Sequence, residues 1–375
     1  MAPRAARRML VLALLTLLCT AGVLLTISRA RSRDRNSGTW HIQPDLVDHQ
    51  HVAAPPHLLH NDREYDQQIQ DLSAGNATLG FNAVLALSRG TKWRVNGLNA
   101  AANASGISLL IPAQPVWSKE FVHSFEAFGP VDAHGAAMAW LGHIDLLKFV
   151  IQNKWGSALI MEDDMDWDVR IRQQTAMIAQ GTRELARKRD DWESRPHNRT
   201  DDNPHSPYGD TWDVLWMGHC SDPPRAKPLV VWPDATVIAR QRYAGIDRLV
   251  TTVLEEGERS VHRSVNPVCT FAYAISAAGA RKVLAIASTG KGGAFDLMLN
   301  HNCKQGTLDC VSVNPEVFDP YHPADGDKSE VRAGDTTPGT EASFEDAVSQ
   351  VMGHTDNILR SARCQGLWAT TCLTS

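Results

Sequence analysis

The sequence predicts an α/β fold carried behind one membrane-spanning helix, and three observations predict it. A strand, a helix and a second strand follow one another from Phe81 to Ile111, the spacing of a βαβ unit. An uncharged apolar segment of bilayer-crossing length lies at Met9–Ser28. A run of acids, Glu162-Asp163-Asp164, stands where an apolar strand ends. In open α/β sheets ligands bind at the carboxyl ends of strands, so acids placed there are aimed at a cleft.

The anchor comes first in the chain. Met9–Ser28 (MLVLALLTLLCTAGVLLTIS) carries no charge, and at about 1.5 Å per residue it crosses a hydrocarbon core of roughly 30 Å. Arg4, Arg7 and Arg8 precede it and Arg29, Arg31, Arg33 and Arg35 follow, so the positive-inside rule does not by itself set orientation. Cleaved signal peptides have apolar cores of only about 7–15 residues, which favours a retained signal anchor. The sequons at Asn76, Asn103 and Asn198 all lie downstream of it. Of seven cysteines, Cys19 falls in the span. Cys220, Cys269, Cys303, Cys310, Cys364 and Cys372 remain, an even number suited to an oxidising lumen. No C-x-x-C pair marks a structural zinc site. Short loops favour Cys303 with Cys310 and Cys364 with Cys372, although spacing does not decide the connectivity.

Charge and composition narrow the function. Lys+Arg 37 against Asp+Glu 42 leaves a formal charge of -5, which provides no basic field for nucleic acid. Hydrophobic residues at 43% and charged residues at 21% are globular values and exclude a wholly disordered, collagenous or coiled-coil chain. At roughly 150 residues per domain the length would allow two domains. The chain divides otherwise: residues 1–8 as a cytosolic tail, 9–28 as the anchor, 29–76 as a polar stem unable to bury enough to order itself, and 77–375 as one lumenal domain.

Within that domain the apolar run Phe81–Leu87 reads as a strand, Trp93–Ala104 as a helix, and Ile107–Ile111 as a strand closed by Pro112. A helix follows from about Ala136 to Gln152, with Trp140, Ile144, Leu147 and Ile151 at helical spacing, then the strand Ser157–Met161. Arg187–Asp210 is polar and aperiodic and reads as a solvent loop. Asp213–Met217 and Val268–Ile275 read as strands, and Ser276 caps a helix running to about Ile286. Ala324–Glu341, rich in Gly, Asp and Thr, reads as a mobile loop. Trp140, Trp155 and Trp216 fall at apolar spacings and are assigned to the core.

The chemistry centres on Glu162, Asp163 and Asp164, with Asp166 and Asp168 close behind. Hard oxygen ligands suit Mg²⁺ or Mn²⁺, and such an ion neutralises a diphosphate leaving group. An isolated acidic turn after a strand is most often a solvated turn, so the neighbouring residues decide. His143 on a helix, followed by ALIMEDDMDWD with Glu162 19 positions after the His, is similar to the pattern of glycosyltransferase family 25. Phe81–Leu98 resembles that family's opening strand and nucleotide-binding turn. DVLWMGHC at Asp213–Cys220, PVCTFAYAISAAGARKVL at Pro267–Leu284, GDKSEV at Gly326–Val331 and TDNILRSARC at Thr355–Cys364 resemble its later blocks, especially in the fungal membrane-anchored branch. Gly142 stands where the family has Ser before the His, and Glu330 where it has Asp; the usual Gly-Cys before the Ser-His is missing.

The resemblance implies a GT-A-like fold, a mixed central sheet flanked by helices. It also implies an inverting hexosyltransferase that takes a UDP-sugar, with galactose as the sugar, to a glycan or glycoprotein acceptor, in a type II protein of the Golgi or ER membrane. Such a transfer needs a metal, Mn²⁺ or Mg²⁺, a carboxylate base and groups that cradle the nucleotide. Asp164 is expected as the leading metal ligand, with Glu162 as second ligand or water-mediated support and His322 as a third. Asp163 is expected against ribose or donor sugar, and Asp296, at a helix start, as the general base. Ser88, Arg89 and Arg94 follow the first strand and are assigned to the nucleotide, since Arg binds phosphates bidentately. His143 is expected to be a satisfied core histidine. Two alternatives stand beside the transferase. One is a membrane-tethered metal-dependent hydrolase using the same carboxylates with His219 or His322, against which the scattered histidines count. The other is a catalytically silent glycoprotein of the same fold.

Overall fold

The computed structural model describes residues 73–122, 134–193, 206–224, 228–244, 253–288, 294–324 and 351–373. The expected tail, anchor and most of the stem lie outside the described residues, as do Asn198, Glu330 and nearly all of the 324–341 loop. Among the described residues no helix is long and apolar enough to cross a membrane.

The strands are β1 (Ala83–Leu87), β2 (Leu109–Leu110), β3 (Ser157–Glu162), β4 (Met165–Trp167), β5 (Val214–Gly218), β6 (Leu229–Pro233), β7 (Glu258–Arg263), β8 (Ala272–Ser276), β9 (Cys310–Asn314), β10 (Phe318–His322) and β11 (His354–Thr355). The helices are α1 (Lys92–Ser105), α2 (His134–Gln152), α3 (Ile171–Glu193), α4 (Ala277–Ala287), α5 (Phe295–Lys304) and α6 (Ala362–Trp368). An eight-stranded mixed sheet has the order β2-β1-β3-β8-β5-β9-β7-β6, and β11-β10-β4 form a small second sheet. β1 is parallel to β2 and β3, and β5 to β9, whereas β8 is antiparallel to both β3 and β5.

The central strands are apolar at consecutive positions because both faces of the sheet are covered. Val84, Ala86, Leu159, Met161, Leu215, Met217, Ala272 and Ala274 point into one core layer, against Leu98 and Ala101 of α1 and Ile178 of α3. Their alternates Ala83, Leu85, Ala158, Ile160, Val214, Trp216, Tyr273 and Ile275 point into the other, against Leu146 and Val150 of α2, Val283 of α4 and Met298 of α5. The βαβ unit, α2 and the cap of α4 are as the sequence predicts; Ser276 Oγ accepts the Gly279 amide. Trp140 and Trp216 are buried, and Trp155 packs edge-on to Phe149.

Several elements differ. Ser73–Asn76, assigned to the stem, belong to the folded body: Ala74 is fully buried, its carbonyl accepts Thr175 Oγ1 at 2.9 Å, and Gly75 O accepts Arg172 Nε at 2.6 Å. The expected loop from Arg187 begins inside α3, whose core stripe is Ile171, Thr175, Ile178, Thr182 and Leu185. Two of these are threonines that return their hydroxyls to the Ile171 and Ile178 carbonyls, so the stripe does not read as apolar. At the far end of the same segment Tyr208 is buried and donates to Leu79 O at 2.7 Å. The run from Val268 becomes a strand only at Ala272, because Cys269 has φ +65° and is tied to Cys220. That disulfide joins the end of β5 to the start of β8. Cys303–Cys310 and Cys364–Cys372 pair as the short loops predict, with Cα separations of 5.5 and 6.0 Å.

Candidate active site

Because β1, β2, β3, β5 and β9 share one direction, their carboxyl ends meet along one edge of the large sheet, where antiparallel β8 begins. Glu162 is the last residue of β3, and Asp163-Asp164 turn the chain into β4 of the small sheet. The turn is pinned from both sides. Glu162 N donates to Phe271 O at 3.1 Å, and Tyr321 N to Asp164 O at 2.8 Å.

The five acids divide into two groups. Asp166 accepts the Trp167 and Arg363 amides at 2.8 and 3.0 Å as well as the Ser361 hydroxyl, and Asp168 holds Arg170 through two bonds of 2.8 Å. These two build the scaffold. Asp163 and Asp164 share Arg94: its Nη1 lies 2.7 Å from Asp163 Oδ1 and 2.8 Å from Asp164 Oδ2. Asp164 Oδ1 is shielded from solvent and meets no hydrogen-bond donor. Glu162 Oε1 accepts Thr270 Oγ1 at 2.9 Å. Burial, then the neighbouring Asp164 carboxylate, push the Glu162 carboxyl up to about 8.

Arg363 lies beneath the turn. It is fully buried, and its Nη2 donates to Asp163 O at 3.0 Å and Met165 O at 3.1 Å. Burial depresses its pKa, while Asp166 and Asp164 act in the opposite sense. Its guanidinium stands 5.1 Å from the Tyr321 ring centroid and is packed under Gly97 of α1, where a Cβ would come within 2.6 Å of Cζ.

The remaining predicted residues fall as follows. Ser88 is buried and its Oγ accepts the Gly90 amide at 3.0 Å, which shapes the turn after β1; Arg89 on that turn is exposed. Arg94 is 5% exposed, stacks on Trp93 and is committed to the acids rather than turned to an open surface. Asp296, in the first turn of α5, accepts the Cys269 amide at 2.9 Å and the Leu297 amide at 2.8 Å, which places it one residue from Thr270. His322 contacts Asp356 at 3.6 Å and stacks on His354, one residue after Tyr321, whose amide donates to Asp164 O. Among the described residues no three His, Cys, Asp or Glu side chains are placed to hold a metal ion together. His219, which the hydrolase alternative would use, is 1% exposed and bonded to Val313 O. His143 is buried as expected, and it also contacts Thr270. At Gly142, directly before His143, an added Cβ would meet Leu87 Cδ1 at 2.5 Å.

Sequence reasoning missed Thr270, Arg363 and Gln114. Gln114 follows β2 on the same edge, beside Gly142, and both atoms of its amide are buried without a hydrogen-bond partner. No local signal marks Thr270, which sits inside an apolar run, and Arg363 lies in a block that stands out only through the family resemblance. Searches against protein-family models and curated proteins return no match for this chain.

Proposed function

We propose that the chain is a metal-dependent inverting glycosyltransferase of GT-A type. It moves a sugar, galactose on the family 25 resemblance, from a UDP-sugar to a glycan or glycoprotein acceptor at the Golgi or ER membrane. The observation that carries this reading is Asp164 Oδ1, a buried carboxylate oxygen with no donor, beside Glu162 where three parallel strands end. Leaving such an atom unmatched costs about 1–3 kcal/mol, and a cation removes that cost.

Mn²⁺ and Mg²⁺ are held by one or two carboxylates plus substrate phosphates, so Asp164 and Glu162 fit without a third protein ligand. When bound, the ion neutralises the charge that develops on the diphosphate. Arg94 holds Asp163 and Asp164 in register, leaving Asp163 to orient the ribose or donor sugar. The Ser88–Gly90 turn offers Arg89 to the phosphates, and Gln114 supplies an amide donor and acceptor to the edge of the base. Each oxygen of Asp296 keeps a lone pair after accepting one amide, so Asp296 can take the proton of the acceptor hydroxyl as that oxygen attacks the anomeric carbon and the bond to the diphosphate breaks.

Titration calorimetry of the detergent-solubilised full chain with UDP tests this reading. UDP should bind only with Mn²⁺ present, and Asp164→Asn should abolish the metal-dependent part. UDP affinity indifferent to both would contradict it.

A further inference from the structure

The contacts of His143 extend from the core to the acid turn. Its Nδ1 lies 3.2 Å from Tyr273 Oη and its Nε2 3.4 Å from Thr270 Oγ1, and Thr270 Oγ1 lies 2.9 Å from Glu162 Oε1. The imidazole is 1% exposed and lies flat on Phe295, with centroids 4.3 Å apart and planes 4° from parallel. Burial drives its pKa down to about 3, so the ring is neutral and one nitrogen carries the proton. Donor counting then sets the direction. A hydroxyl has one proton; with Glu162 ionised, as a metal ligand must be, the carboxylate can only accept, so Thr270 gives its proton to Glu162 and towards His143 can only accept. His143 is therefore the Nε2–H tautomer, and its bare Nδ1 receives the Tyr273 proton.

We infer that His143 is a positioning residue, which acts through Thr270 to fix the Glu162 carboxylate with Oε1 committed and Oε2 left for the donor site. Tyr273, His143, Thr270 and Glu162 then form a chain whose donors all point the same way. Phe295 holds the ring plane, and the neighbouring Asp296 holds the Cys269 amide that leads into Thr270. The catalytic consequence, though not the hydrogen-bond chain itself, rests on the transferase reading above.

The test pairs a spectroscopic readout with kinetics on the full chain. In ¹⁵N-histidine-labelled protein, His143 signals are assigned by their loss in His143→Gln. They should show a pyrrole-type Nε2 and a pyridine-type Nδ1, and both should shift in Thr270→Val. In Mn²⁺-dependent nucleotide release from a UDP-sugar, His143→Phe keeps the stacking shape but removes the donor. It should lower kcat about tenfold, the value of one hydrogen bond, with KM for the donor unchanged. His143→Gln, which keeps a donor towards Thr270, should recover most of the loss, and His143→Phe/Thr270→Val should be no worse than Thr270→Val alone. An Nδ1–H tautomer, wild-type kcat in His143→Phe, or additive losses would each overturn the inference. If the wild type turns over no nucleotide sugar, the transferase reading fails, and the tautomer together with the Thr270→Val shift still decides the hydrogen-bond chain.

Discussion

Replacing Gly97 by Ala separates the packing of Arg363 under α1 from helix propensity, because the two predict opposite signs. Gly97 lies inside α1, where propensity makes Ala more stable by about 1 kcal/mol. The added Cβ would clash with Arg363 Nη1 and come within 2.6 Å of its Cζ. Arg363 has nowhere to retreat: it is 0% exposed, lies over Tyr321, and is bonded to the carbonyls of Asp163 and Met165. Overpacking costs about 1–3 kcal/mol, and a lost hydrogen bond to a charged group about 1.5–3 kcal/mol. With one such bond broken and the propensity gain deducted, the net loss is about 3 kcal/mol. At about 2–4 °C per kcal/mol for a domain of this size, Tm should fall by roughly 6–12 °C. Calorimetric scans of wild type and Gly97→Ala at one scan rate measure it. An unchanged or raised Tm would refute the claim that Arg363 is clamped between α1 and the acid turn.

Gln114→Leu should do the reverse, raising Tm while weakening UDP binding, since it removes two buried unpaired groups worth about 1–3 kcal/mol each and with them the contact to the base. A lower Tm together with unchanged UDP affinity would count against that role. Glu162 gives a pH signature. Its carboxyl is raised from 4.5 to about 8, so the folded state holds a proton that the unfolded state has released; stability is fully present below pH 4.5 and is lost as pH rises through about 8. Denaturant unfolding between pH 5 and about 9 should show that decline in metal-free wild type and a flatter profile in Glu162→Gln; identical slopes would mean Glu162 is not desolvated.

What the sequence makes legible follows the physics of burial. Strands covered on both faces are written as unbroken apolar runs, so β1, β3 and β5 can be read directly, as can the acid turn after β3. α3 is not legible because threonines occupy its buried stripe and satisfy themselves against the helix backbone. The site is legible as a list of acids but not as a circuit. Asp166 and Asp168 look the same as Asp164 in sequence, and only the partners Ser361, Arg363 and Arg170 mark them as scaffold. Arg94 illustrates the limit in another way: its position after the first strand suggests a phosphate ligand, while its burial against two carboxylates makes it their counterion. Thr270, which bonds Glu162, follows Cys269, and that residue is held by a disulfide and by the Asp296 carboxylate, partners 49 and 27 residues away in the chain.

The central claim is that Glu162 and Asp164 serve the transfer of a sugar from a nucleotide diphosphate. Nucleotide release by the purified full chain from a panel of UDP- and GDP-sugars, with and without Mn²⁺ and with Asp164→Asn alongside, tests it most directly. Wild type should release nucleotide from a UDP-sugar in a Mn²⁺-dependent manner, and a folded Asp164→Asn should not. Release from no donor, or equal release by the two proteins, would contradict it.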